Sequence, residues 1–257
     1  VLDLLTAVAP KPLPAAALVE GARVFGHSEN VLRVTLSRLR GEERVASPRR
    51  GIYVLGPTAA PLVDRIRAWR HRPGAEVWDG DGWLAALTRE RPARAPTLLR
   101  ALGFALLTPT LAVRPDDGRR DLAELAPLAP TWMALRLSSL DDEARLLASS
   151  LWNLSALLEG HRAMRAALAA SRRRHARRVR ATDEALRETF VLGGEAIRAL
   201  VLDPHLPAAL CPPGPRERLR DAMVRYDALG RRLWEARLGI AFDRRAPARL
   251  DAMEISA

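Results

Sequence analysis

The chain has 257 residues, 48% of them apolar and 28% charged, with a formal net charge of +11. That balance excludes a wholly disordered chain, a collagen and a coiled-coil rod, and at roughly 150 residues per domain it fits two or three small domains. The positive charge favours a polyanionic partner such as nucleic acid or a phosphorylated ligand.

Residues 1–56 form a first segment. Val1 to Val8 reads as a helix with Leu2, Leu5 and Val8 inward, and Pro14 to Val24 as a second, with Pro14 tolerated in the first turn. A third starts after Gly26-His27, where Ser28 is a good N-cap, and runs to about Arg40. At about 100° per residue, Leu32, Leu36 and Leu39 share one face. Asn30, Arg33, Val34 and Ser37 lie opposite, with Arg38 at the edge. The first face is a core stripe. The second is a short, mostly polar row opening at a helix N-terminus, as on a helix that reads the major groove. Two short strands follow, about 44–46 and 52–55, joined by a turn containing Pro48, Arg49, Arg50 and Gly51. Three helices and a hairpin tipped by two arginines make a winged helix-turn-helix, whose wing arginines would lie near phosphates or reach into the minor groove. The same unit could also serve as a dimerisation or protein-docking module.

Residues 62–138 form a central segment. Trp83–Thr88 reads as a strand, Ala93–Leu102 as an amphipathic helix, and Phe104–Thr108 with Leu111–Arg114 as a hairpin. An Ala/Leu-rich helical piece and a strand at Trp132–Leu137 complete a β-α-β-β-α-β order, which is ferredoxin-like. Asp79 and Asp81 are paired carboxylates that could hold a divalent metal for phosphodiester hydrolysis. They precede the first strand, however, and Asp-Gly repeats are ordinary turn chemistry.

Residues 140–257 form a mostly helical C-terminal segment. The pattern is helical from Leu140 to about Arg180, with Leu146, Leu147, Leu151, Trp152, Leu154, Leu157 and Leu158 as an apolar band that must be buried. An arginine run from Arg172 to Arg180 is either an anion site or a solvated charge run. A proline-rich loop precedes a last helix over about Gly214–Leu238. The expected fold class is therefore α+β and multidomain: winged helix-turn-helix, ferredoxin-like centre, helical C-terminal domain.

All but one of the 41 basic residues are arginine. Arginine suits bidentate contact with phosphate, although a GC-rich genome produces the same bias. The single cysteine, Cys211, excludes an intramolecular disulfide and a cysteine-based zinc site and fits a reducing compartment. No apolar run approaches the roughly 20 residues needed to span a bilayer. The opening Val1-Leu-Asp-Leu carries an acid and no basic leader, which is not a secretory signal. A cytoplasmic protein without membrane contact is expected. Nucleophile-elbow, Walker, zinc-protease and dinucleotide fingerprints are absent from the sequence, and His161, His175 and His205 have no metal-ligand spacing. No catalytic residue, metal or cofactor is assigned.

Several phrases resemble PaaX-type regulators, the repressors of phenylacetic acid degradation operons. Ser28-Glu-Asn-Val-Leu-Arg-Val-Thr-Leu-Ser-Arg-Leu39 with Arg49-Arg-Gly-Ile-Tyr53 resembles their N-terminal module. Trp78-Asp-Gly-Asp-Gly-Trp83, Leu99-Arg-Ala-Leu-Gly-Phe104 before Leu111-Ala-Val-Arg-Pro115, Ser150-Leu-Trp152 and Asp203-Pro-His-Leu-Pro207 follow in the family's order. The chain departs from the pattern near Gly214, where a tryptophan is expected, and at His161, where an aromatic residue is expected. The resemblance implies a central domain similar to small CRISPR-associated nucleases. It also implies an aryl-acyl-CoA effector, phenylacetyl-CoA in the best-known members. Trp152, Asp203, Pro204 and Pro207 are the effector-binding candidates.

The sequence thus points to a ligand-responsive DNA-binding repressor, a homodimer on a palindromic operator of double-stranded DNA. Ser28 would cap the reading helix, Asn30, Arg33, Val34 and Ser37 would face bases, and Arg38, Arg49 and Arg50 would hold phosphates. A metal-dependent nuclease and a sequence-nonspecific nucleic-acid binder are the alternatives.

Overall fold

A computed structural model of the chain describes residues 1–59, 66, 68–70, 82–89, 99, 102–116, 132–138, 141–176 and 181–242. The protein is α+β, with two antiparallel sheets among the described residues. It divides into two compact units. One takes residues 1–70, 166–197 and 222–257; the other takes residues 71–165 and 198–221. Residues 140–257, read from the sequence as one helical segment, therefore contribute to both.

The first unit begins with α1 (Leu2–Val8), which buries Leu4, Leu5 and Val8. Leu4 takes the inward place expected for Leu2. A two-residue strand, β1 (Leu13–Pro14), then pairs with β3 (Ile52–Leu55) through Leu13↔Tyr53 and Pro14↔Ile52. Pro14 is thus not in the first turn of α2 (Ala15–Val24): its backbone is extended, and it stands at the N-cap. The missing N–H costs nothing there, and the next amide, that of Ala15, donates to the Gly51 carbonyl at 2.8 Å. Helix α3 (Glu29–Gly41) buries Leu32, Leu36 and Leu39, as their spacing requires. Strand β2 (Val45–Arg49) closes the sheet in the order β1-β3-β2. It runs past Pro48, beyond the expected end at 46, because a register irregularity between Ala46 and Arg49 accommodates the proline on an edge strand. Gly51 at the hairpin tip has φ +76, a conformation that favours glycine.

These elements pack on residues of α6 (Asp183–Val201) and α7 (Gly214–Leu238). Phe25 stacks on Trp234 at 6.3 Å and meets Phe190 edge-on at 5.3 Å. Arg237 bridges Glu20 at 2.6 Å and Asp183 at 2.8 Å. Arg187 donates to the Val24 carbonyl at the end of α2. Helix α6 is absent from the sequence reading; it starts where Thr182 Oγ1 accepts the Ala185 N–H at 3.2 Å.

The second unit is built on β4 (Trp83–Leu87), β5 (Ala105–Thr108), β6 (Leu111–Pro115) and β7 (Met133–Leu137), in the order β5-β6-β4-β7. Alternation puts Leu84, Ala86 and Ala112 in a core with Leu99, Leu102, Phe104 and Trp132. Trp83, Ala85 and Val113 form a second cluster with Ala148 of α4 (Asp142–Ser150). The helix expected throughout from Leu140 is broken after α4. Asn153 Oδ1 accepts the Ala156 N–H at 3.0 Å and starts a new helix, α5 (Leu154–His175). The break changes the phase of the apolar pattern: α4 faces inward through Ala148, and Leu146 and Leu147 are exposed rather than buried.

Candidate nucleic-acid interface

Helix α3 is positioned from both of its sides. Its leucine row is sunk into the first unit, and its first turn is closed by Ser28, whose Oγ accepts the Val31 N–H at 3.4 Å. What remains outward is the row the sequence singles out: Asn30, Arg33, Val34, Ser37 and Arg38 are all exposed. Val34, diametrically opposite the core, is 63% exposed, and Val31 beside it is also exposed. Two arginines of the row are held along the helix by acids one turn away, Arg33 by Glu29 and Arg38 by Glu42, each at 2.6 Å. Such exposed pairs exchange readily for a phosphate partner, because each contributes only about 0.5 kcal/mol.

Arg49 and Arg50 stand exposed at the end of β2 and in the turn, with no acidic partner among the described residues. The Ser47 hydroxyl donates to the Arg49 carbonyl at 2.9 Å and stiffens the tip. An open groove lined by Ser37 and Arg40 on one side and by Ala46 and Ser47 on the other joins the outward face of α3 to the hairpin. Arrayed together, these groups can donate hydrogen bonds to phosphates and base edges and present cationic charge.

The effector candidates lie in the second unit. Trp152 is half-buried and stacks on Trp83 at 6.5 Å. Asp203 is buried: its carboxylate accepts from the His205 N–H at 2.7 Å and from Arg216 at 3.1 Å, and lies 3.0 Å from His161 Nε2. Burial alone would raise this carboxyl, but the His161 contact, the Arg216 charge and the His205 interactions outweigh it and hold it at about 2. The Pro204 carbonyl lies against Gly103, where a Cβ would come within 2.8 Å of it. Two separate sequence phrases, Leu-Gly-Phe and Asp-Pro-x-Leu-Pro, therefore meet in space. The Pro207 carbonyl accepts the N–H groups of Leu210 and Cys211. Cys211 is buried in this loop, and burial pushes its thiol up, away from the reactive thiolate.

Spacing gave no hint of His161 or Arg216 as partners of Asp203, since pairs far apart in sequence leave no local signal. The same holds for a buried network in the first unit. There Ser171 meets Tyr226 at 2.7 Å, and His175 meets Glu188 at 2.6 Å. Burial favours the neutral Glu188 carboxyl, yet hydrogen bonds from His175, Ser171 and Arg174 hold it at about 2. Of the arginine run, Arg172 and Arg173 are exposed and Arg174 is paired with Glu188. Arg177, Arg178 and Arg180 lie outside the described residues, as do Trp78, Asp79 and Asp81. Among the described residues, no group of three or more His, Cys, Asp or Glu side chains could hold a metal. No described helix is long and apolar enough to cross a membrane.

No protein-family model matches the chain. No curated protein matches it either. Among solved structures it is similar to the uncharacterized protein Rv0674 from Mycobacterium tuberculosis, at 25% identity and a TM-score of 0.60, over 91% of this chain and 96% of that one. The likeness covers nearly the whole length of both chains and extends to their common architecture.

Proposed function

We propose that the chain is a ligand-responsive, DNA-binding transcriptional regulator of PaaX type, acting as a repressor. The observation that carries this reading is the outward row of α3, exposed opposite a buried leucine stripe and joined by a groove to the hairpin that bears Arg49 and Arg50. The element order α1-β1-α2-α3-β2-β3 with sheet order β1-β3-β2 agrees with a winged helix-turn-helix, α3 as its reading helix and the hairpin as its wing. In the second unit, the described strands have the all-antiparallel arrangement of a ferredoxin-like domain.

On DNA, α3 enters the major groove. Asn30, Arg33, Val34 and Ser37 face base edges, and Arg38, Arg49 and Arg50 hold phosphates. A homodimer places two such helices on the halves of an imperfect palindrome. An aryl-acyl-CoA effector, of which phenylacetyl-CoA is the first to try, binds beside Trp152 and the loop from Asp203 to Pro207. It releases the operator by binding the DNA-incompetent arrangement more tightly than the competent one.

Footprinting of the upstream region of the gene, with and without phenylacetyl-CoA, tests both halves of this reading. A protected palindrome that random DNA competes for on the order of a thousandfold less well supports it. Equal competition by random DNA leaves a nonspecific binder, to which the +11 charge also lends itself. Protection that phenylacetyl-CoA leaves unchanged removes that effector. Cleavage of the probe in magnesium, lost in Asp81→Ala, replaces the regulator with a nuclease.

A further inference from the structure

We infer that Val34 reads the C5 methyl group of a thymine in each operator half-site, an inference that rests on the DNA-binding reading above. Val34 occupies the crest of α3, half a turn of helix from the buried Leu32 and Leu36, and is 63% exposed. Folding gives no reason for a valine there. A β-branched side chain is a poorer helix former than alanine, and this one is largely withdrawn from the core.

The neighbours narrow the occupant. Asn30 and Arg38 lie one turn to either side of Val34, Ser37 is three residues on, and Arg33 adjoins it; all four are exposed. The apolar spot is therefore a single branched side chain and the neighbouring Val31, set in hydrogen-bonding and cationic groups. Two lone valines are far smaller than the apolar centre of a protein–protein interface, and a protein docked over them would have to desolvate the Arg33–Glu29 and Arg38–Glu42 pairs. A major groove meets each demand of the surface. It offers acceptors to Arg33 and Asn30, phosphates to Arg38, and one apolar group among the four base edges, the thymine methyl. Val34 can donate and accept no hydrogen bond, so this is the base-edge feature it can distinguish. Val31, 50% exposed and one turn nearer the N-terminus, flanks the same contact.

The experiment selects a preferred duplex from a random pool with the wild-type protein, then replaces each dT of that duplex, one at a time, by dU. This removes the methyl and leaves every hydrogen-bonding group in place. At one thymine position per half-site, wild type should lose about fourfold in affinity, the equivalent of ~0.8 kcal/mol for one buried methyl. Val34→Ser, which removes both methyls, should bind the dT and dU duplexes equally at that position, while melting near the temperature of the wild type, since serine and valine are similar helix formers. The inference is overturned if dU costs nothing at any position, or if Val34→Ser keeps the full sensitivity of the wild type. Selection of no sequence by the wild type would instead overturn the DNA-binding reading itself, before any dU duplex is made.

Discussion

Replacing Asp203 by asparagine tests the buried cluster of the second unit. The carboxylate is 2% exposed and serves Arg216, the His205 N–H and His161. In the folded chain it titrates at about 2, against an ordinary 3.8. That difference corresponds to about 2 kcal/mol of stability that the ionised group supplies at neutral pH. Because the folded value lies below the unfolded one, the contribution is complete well above 3.8 and is lost as the pH falls through 3.8 towards about 2. Asp203→Asn should therefore cost about 2 kcal/mol at pH 7 and almost nothing at pH 2. Asp203→Ala, which also removes the acceptor from Arg216, should cost about 3–5 kcal/mol at pH 7. Urea denaturation followed by circular dichroism, together with amide exchange of residues 198–221, measures the difference at each pH. Glu188 adds an acid-sensitive contribution of its own, which cancels when variant and wild type are compared at the same pH. A wild type and an Asp203→Asn variant whose stabilities fall in parallel with acid would refute the argument.

Three other outcomes are expected. The double change Arg49→Ala, Arg50→Ala should leave thermal stability unchanged and weaken binding similarly on all duplexes. It should lower the slope of log affinity against log salt by about 3.6 for the bound dimer, which loses two arginines from each protomer, at ~0.9 per phosphate contact; a salt titration by fluorescence anisotropy measures this. Arg33→Ala should relax sequence preference instead, and equal losses on selected and random DNA would count against its base-reading role. Gly103→Ala should destabilise the second unit by about 2 kcal/mol in thermal melts, since φ is +83 and the added Cβ would press on the Pro204 carbonyl.

Legibility followed range along the chain. The leucine stripe of α3, its Ser28 cap and the strands of the central sheet are written within windows of a dozen residues, and each lies where periodicity puts it. Strand β1 has only Leu13 and Pro14, and it exists because β3, some forty residues on, pairs with it. Leu146 and Leu147 point inward only if the helix from Leu140 is unbroken, and the Asn153 cap invalidates that phase. Helix α6 carries Gly193-Gly194 in its middle, which reads locally as a breaker. Gly193 is buried beside Met223 and Tyr226, and that packing overrides the local preference. For the site, the outward row of α3 was legible because an amphipathic helix displays both of its faces in sequence. The partners of Asp203 and Glu188 were not, because ion pairs between distant segments follow from the fold.

The wall against which Phe25, Glu20 and Val24 rest is made by Phe190, Arg187, Trp234 and Arg237. During synthesis residues 1–59 leave the ribosome long before that wall exists. At about 5–20 residues per second, roughly ten to forty seconds separate the hairpin from the end of α7. For that interval the side of Phe25 that Phe190 and Trp234 cover in the folded chain is open to solvent. The segment that carries α3 is therefore made well before the residues that complete its packing.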